Sequence, residues 1–316
     1  MYTSENNWYS WSYGDLEPFS RQTDDLDFKT HFSRCNDEVG NLREELVKAA
    51  KSTLDHCDHK PTILFSGGAD SELLLRAILE AGGNPRIIIA RYENDYNIYD
   101  VSYAVTLCSI LNVNYQIYDF NLQKFYEEEA ERFSELAQID RPRALPYCKL
   151  LEIIDGFPLM GASDLSPMRV KIIDNSVVGL DEDYNKRGTW IMRCWEHDIG
   201  WSKFLRAINK PGIAEWFKWT PGLSIAYMKT AWFNDLVNDR IYGKQGSNSS
   251  KIVGYREAYN DLIDRKKQTG FEKIDHLVLE FENHLMNKNK KFLYRKSYDR
   301  TVKELWFDLT GQEWNS

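Results

Sequence analysis

Residues 61–72 read Pro-Thr-Ile-Leu-Phe-Ser-Gly-Gly-Ala-Asp-Ser-Glu: an apolar run, a turn of serines, glycines and an aspartate, then the first residues of an amphipathic helix. Those residue types in that order can cradle a phosphate. Gly67 and Gly68 reach backbone angles closed to other residues and can turn successive N–H groups toward one anion. A helix starting near Asp70 adds its own unpaired N–H groups and the positive end of its dipole. Ser66 and Ser71 can donate hydroxyl hydrogen bonds to phosphoryl oxygens. Asp70 is no direct partner for a phosphate, but it suits a magnesium ion that bridges phosphoryl oxygens. The expected ligands are therefore ATP and Mg2+.

Spacing excludes two other nucleotide loops. A Walker A loop needs Gly, four residues, then Gly-Lys-Ser/Thr, and Gly243-Lys244 is followed by Gln245. No G-x-G-x-x-G occurs either. A second turn, Met160-Gly-Ala-Ser-Asp164, follows an apolar run: Gly161 permits close approach to a nucleotide, and Asp164 can give the metal a second carboxylate beside Asp70. The competing reading is an ordinary turn, since Gly, Ser and Asp dominate turns. The loop has no lysine, so cations must come from elsewhere: Arg143 and Lys149 before the fourth strand, Arg169 and Lys171 after Asp164, or Lys244 and Lys251. The last two flank Gln-Gly-Ser-Asn-Ser-Ser, which reads either as a lid over bound ATP or as a plain surface loop.

The elements that must position these residues follow from periodicity. Val39, Leu42, Leu46, Ala49 and Leu54 recur near helical spacing from Asn36 onward. Strand patterns at Thr62–Phe65, Arg86–Tyr92, Asn114–Phe120 and Phe157–Met160 then alternate with helical patterns at Asp70–Ala81, Ile98–Leu111, Leu122–Ala137 and Leu145–Ile154. This alternation implies an α/β fold, a doubly wound parallel sheet with helices on both faces. Ligands of such sheets bind beyond the carboxyl ends of the strands, where the Ser66 loop sits. By the same rule Ala90, Arg91 and Tyr92, ending the second strand, are expected to face the adenine, with backbone recognition of the base. Residues 1–35 have no clear period and read as an irregular arm. After strands around Val170–Leu180 and Thr189–Trp195 the chain reads as mostly helical. The expected division is an arm at 1–35, an ATP-binding α/β domain at 36–165 and a mainly helical substrate-specificity region at 166–316.

Composition narrows the class. The 316 residues suit one large α/β domain, or one with a smaller appendage. Five scattered cysteines without a C-x-x-C pair exclude a disulfide scaffold and a structural zinc site. The net charge of -8 argues against broad nucleic-acid binding. No membrane span or signal peptide is legible, so the expected location is cytoplasmic. The run Lys288, Lys290, Lys291, Arg295, Lys296, Arg300 and Lys303 reads as a solvated helix face, and His56, Cys57, Asp58 and His59 as a polar connection. Six of ten tryptophans lie between Trp190 and Trp232, and these read as core.

Ser66 through Ser71 resembles the Ser-Gly-Gly-x-Asp-Ser signature of the PP-loop ATP pyrophosphatases, a superfamily that includes asparagine, GMP, NAD and argininosuccinate synthetases and several tRNA-modifying enzymes. The stretch Asn41-Leu-Arg-Glu-Glu-Leu-Val leading into Ile63-Leu-Phe-Ser-Gly-Gly is similar to the approach to that loop in the synthetase domain of asparagine synthetase. The likeness covers roughly residues 36–170. It implies ATP cleavage to AMP and pyrophosphate, with Gly161 and Asp164 in the place of the family's second glycine and acidic residue. Asparagine synthetase begins with a glutaminase domain whose nucleophile is a cysteine after the initiator methionine; here position 2 is Tyr2, so nitrogen is expected from ammonia, an amine or a separate partner. The resemblance then implies adenylation of a small substrate's carboxylate or amide oxygen, with Asp70, Lys149 and Arg169 as catalytic residues. Ser66, Gly67, Gly68, Asp70, Ser71, Arg91 and Gly161 would bind the nucleotide, and Asp70 and Asp164 the metal. The alternatives are RNA-base thiolation using Cys148 or Cys194, and a non-catalytic ATP- or AMP-binding module.

Overall fold

The computed structural model describes residues 8–14, 27–57, 61–139, 141–161, 167–173, 176–180, 189–238, 240, 248–262, 265, 269–287 and 297–314. A four-stranded parallel sheet positions the loop. It comprises β3 (Pro61–Leu64), β4 (Arg86–Tyr92), β5 (Tyr115–Phe120) and β6 (Phe157–Leu159), preceded in the chain by β1 (Tyr9–Tyr13) and β2 (Phe28–Phe32). The order is β5-β4-β3-β6, every pair parallel. The chain therefore lays its first three strands in one direction and returns β6 to the far side of β3. Such a reversal is where open α/β sheets form their crevice.

Both faces of this sheet are covered. Ile63, Ile87 and Ile89 pack with α1 (Leu42–His56), α2 (Ala69–Glu80) and α3 (Ile98–Ile110). The alternate residues Leu64 and Ile88 pack against α4 (Leu122–Glu128), α5 (Ala130–Ala137) and α6 (Leu145–Ile153). Burial on two faces accounts for the unbroken apolar runs of β3 and β4. The α/β architecture expected from the sequence is present.

Local details depart from the periodicity. The first helix starts at Leu42, not Asn36, because the Asn41 side chain accepts the Glu44 N–H and Glu44 reaches back to the Asn41 N–H, a capping box that fixes the start. The span Leu122–Ala137 is two helices, broken at Glu129 (φ -126°). Phe125 and Phe133, about 12 Å apart along an unbroken helix, instead meet with ring centroids 5.6 Å apart in the core. The expected irregular arm contains a hairpin, β1 paired antiparallel with β2 from Tyr9↔Phe32 to Tyr13↔Phe28. The segment Tyr9-Ser-Trp-Ser-Tyr13 alternates at period two, and Tyr9, Trp11 and Tyr13 are all buried.

Beyond β6 a second, antiparallel sheet has the order β10-β9-β7-β8, from β7 (Pro167–Ile173), β8 (Ser176–Leu180), β9 (Thr189–Trp195) and β10 (Ser297–Thr301). Helices α7 (Gly200–Ala207), α8 (Pro221–Met228), α9 (Ala231–Val237), α10 (Asn248–Tyr255), α11 (Asp275–Asn287) and α12 (Val302–Thr310) complete this half. Of the basic run expected on a solvated helix face, Lys303 is exposed on the helix Val302–Thr310, whereas Arg300 lies on strand β10, where it donates to the Thr30 carbonyl and pairs with Asp308; Lys288, Lys290, Lys291, Arg295 and Lys296 lie outside the described residues. Trp216 is fully buried and donates to Thr53 of α1 at 3.0 Å, tying the two halves. None of the five cysteines is in a disulfide. Among the described residues no helix is long and apolar enough to cross a membrane.

Candidate active site

The loop leaves β3 through Phe65, whose N–H still bonds the Ile88 carbonyl at 2.8 Å. Gly67 then takes φ +74°, and a Cβ there would lie 2.6 Å from the Asp100 carbonyl of α3. Glycine is required on both counts, by handedness and by close approach. Gly68 is the N-cap of α2 and brings no side chain to cap the helix, so the first N–H groups of α2 are left for another acceptor. The hydroxyls brace the turn: Ser71 donates to the Gly68 carbonyl at 2.9 Å, and Ser66 Oγ lies 3.2 Å from Ser71 Oγ and accepts the Gly68 N–H at 3.3 Å.

Ser66, Gly67 and Gly68 line a solvent-open cleft. Its other walls are Leu64 and Ile88 to Ala90 of the sheet, Tyr92, Tyr147 and Leu150 of α6, and Arg265 with Thr269. Asn97 shapes the rim: its amide donates to the Ala90 carbonyl and accepts the Tyr92 N–H, both at 2.9 Å. The expectation that backbone groups at Ala90–Tyr92 read a base is corrected for Tyr92, whose N–H is already committed to Asn97.

Asp70, one residue into α2, is held from the second half of the chain. Lys251 Nζ lies 2.7 Å from one carboxylate oxygen and the Tyr255 hydroxyl donates to the other at 2.6 Å. Both partners sit on α10, four residues apart and so on one helix face. Lys251 was legible as a cation beside a Gly/Ser-rich segment. Tyr255 was missed, its only signal being that spacing. Residues 241–247, most of the expected lid, lie outside the described residues.

Other expected residues disperse. Gly161 follows β6 and packs on the start of α2, where a Cβ would lie 2.7 Å from the Asp70 carbonyl oxygen; its close approach is to this backbone, and it is not among the cleft-lining residues. Arg91 projects from the sheet face opposite to that of Ala90 and Tyr92 and forks onto Asp119 at 2.6 and 3.0 Å. Lys149 pairs with Glu129 at 2.6 Å, Arg143 with Asp275, and Arg169 is buried in β7 with its guanidinium 5.7 Å from the Trp190 ring centre. None of these four cations lines the cleft. Asp164 and Lys244 lie outside the described residues, as does the side chain of Lys171. No group of three acidic, histidine or cysteine side chains gathers as a metal cluster among the described residues, and Asp58 and His59 lie outside them.

Sequence reasoning also missed Glu72, the residue after Ser71. It is buried, accepts from Arg76 at 2.8 Å and Arg265 at 2.6 Å, and is 3.4 Å from the Tyr103 hydroxyl. Burial raises the Tyr103 hydroxyl pKa, with Arg265 opposing. Among the described residues around the loop, Asp70, Glu72, Asp100 and Asp261 face Arg76, Lys251 and Arg265, with no surplus of positive charge to meet a polyphosphate; Lys266 and Lys267 lie outside the described residues.

The fold and site define an α/β protein with a glycine-bearing, helix-opening loop at the carboxyl end of a central parallel strand. No protein-family model matches the chain, and no curated protein matches it. Among solved structures, NMN synthetase from Francisella tularensis aligns with TM-score 0.33 and 13% identity, covering 72% of this chain and 97% of its own. The NH3-dependent NAD synthetase from Campylobacter jejuni subsp. jejuni, in complex with the nitrate ion, aligns with TM-score 0.31 and 13% identity over the same shares.

Proposed function

We propose that this chain binds ATP in the cleft and cleaves it between the α and β phosphates, adenylating a carboxylate or amide oxygen of a small molecule for attack by ammonia or an amine. The observation that carries the reading is the Ser66–Ser71 turn: Gly67 at positive φ, an uncapped start of α2, and the cleft opening on both. Its N–H groups suit the β and γ phosphates, which leaves the α-phosphorus open to a substrate oxygen. In that attack an oxygen–phosphorus bond forms, the bond from Pα to the bridging oxygen breaks, and pyrophosphate leaves with the electron pair. The nitrogen nucleophile then displaces AMP and gives up its proton. The chain's part is to position and to neutralise charge.

Magnesium fits this site as an ion held mostly by phosphate. Both oxygens of Asp70 are engaged by Lys251 and Tyr255, so Asp70 would contact such an ion by sharing those oxygens, with polyphosphate and water filling the remaining positions. The nitrogen-transfer half of the proposal rests on the likeness of the Asn41 helix and the Ser66 loop to asparagine synthetase. Substrate choice falls to the second half, which supplies Lys251 and Tyr255. Thiolation is less well supported, because burial pushes the Cys148 thiol far above its usual range and sulfur delivery needs a thiolate. A non-catalytic binding role is the second reading, favoured by the engagement of both Asp70 oxygens.

The test incubates the protein with ATP labelled at the α-phosphate, magnesium, and pooled carboxylate, amide and amine metabolites. AMP with pyrophosphate supports the ligase, ADP refutes it, and tight ATP binding without turnover favours the module. Asp70→Asn should abolish AMP formation with the circular dichroism spectrum retained.

A further inference from the structure

Arg265 lines the cleft with Ser66, Gly67 and Gly68, and its side chain is 10% exposed. Two contacts fix its plane. Nη1 donates to the buried Glu72 carboxylate at 2.6 Å, and the guanidinium carbon lies 3.9 Å from the centre of the Tyr103 ring. The other edge, Nε–H with Nη2–H, is buried and has no acceptor among the described residues. That edge is the side-on fork of an arginine, whose two parallel donors match two oxygens of a carboxylate or phosphate. Two other arginines show that edge filled: Arg91 spans Asp119 at 2.6 and 3.0 Å, and Arg193 spans Asp299 at 2.7 and 2.6 Å.

We infer that Arg265 is the phosphate-gripping cation of the cleft, presenting Nε–H and Nη2–H to two oxygens of one phosphoryl group of the nucleotide, with Glu72 and Tyr103 as its positioning residues. The inference rests on the nucleotide reading of the cleft. It supplies what the loop lacks in having no lysine, at a point where Lys251 is committed to Asp70 and Lys149, Arg143 and Arg91 to acidic partners. A buried acid beside the fork is consistent with this role, because Glu72 takes the edge that a phosphate would not use and prevents the guanidinium from turning.

Isothermal titration of ATP, AMP, pyrophosphate and adenosine, with magnesium, into the full chain and into Arg265→Gln and Arg265→Lys separates the possibilities. The expected result is ATP binding to the unaltered chain, weakened roughly ten- to hundredfold in both variants, with adenosine unchanged; charge-assisted bonds are worth about that factor. A parallel loss for AMP assigns the grip to the α-phosphate, and a loss for pyrophosphate alone assigns it to the β and γ phosphates. Equal losses for ATP and adenosine, or an ATP affinity unchanged within twofold, overturn the assignment while leaving the nucleotide reading standing. Failure of the unaltered chain to bind ATP overturns both. Lys keeps the charge and the reach to Glu72 but loses the fork, so a folded Arg265→Lys that binds ATP normally also refutes the inference.

Discussion

At the scale of single residues, two positions show how a side chain, or its absence, sets behaviour. Gly67 is the more local. Its positive φ costs an L-residue about 1–2 kcal/mol, and a Cβ would press on the Asp100 carbonyl at 2.6 Å. Gly67→Ala is therefore expected to lower unfolding free energy in urea by about 2 kcal/mol or more and to abolish ATP binding. Glu215 is the second. It is buried, burial pushes its carboxyl up to about 7 against the opposing pull of Lys218, and its backbone bridges Gly161. A carboxyl that holds its proton more tightly when folded stabilises fully below its unfolded value and loses that contribution as pH rises through the folded value. Between about pH 4.5 and 7 the chain should thus lose up to about 3 kcal/mol that Glu215→Gln does not lose, read from denaturation midpoints of both proteins across that range. Neither Glu215 nor Glu72 was legible as special in the sequence, because a glutamate's letter does not say whether it is buried.

Elements carry the loop into place. The β3–α2 turn was readable because an apolar run, two glycines and a helical period are local signals. The strands and helices of the parallel sheet were readable for the same reason. What period could not register was the break at Glu129, since both flanks keep helical spacing while Phe125 and Phe133 need to share one pocket. Gly161 ties two elements, placing the end of β6 against the first turn of α2. The expected effect of Gly161→Ala is a loss of about 1–3 kcal/mol, the range for overpacking a filled site, together with altered placement of Asp70. A drop in melting temperature with weakened magnesium-dependent ATP binding would show both; an unchanged protein would mean that the contact gives freely.

For the whole molecule the main fact is that its two cores, one on each face of the sheet, are both shared by the two halves of the chain. The cluster that includes Ile63, Ile87 and Leu74 also includes Trp11 and Tyr13 of the hairpin, Trp216 and Tyr255 of the second half, and Leu309 near the carboxyl end. Residues 36–165 made alone should consequently lack a cooperative melt, which calorimetry on that fragment would check. Trp216→Ala in the full chain should cost about 3–5 kcal/mol, measured by equilibrium unfolding. The hydrogen bonds from Lys251 and Tyr255 to Asp70 span 181 and 185 residues. Sequence alone determined the local terms: the serine–glycine turn that opens a helix, the alternation that makes an α/β sheet, and the missing loop lysine, each a matter of neighbouring residue types and short periods. Only the tertiary structure decided which distant side chains meet that turn. It brought Lys251 and Tyr255 to Asp70 and Arg265 to the cleft, and it sent Arg91, Lys149 and Arg169 elsewhere. Packing of the shared cores sets those distances, and no local period encodes it.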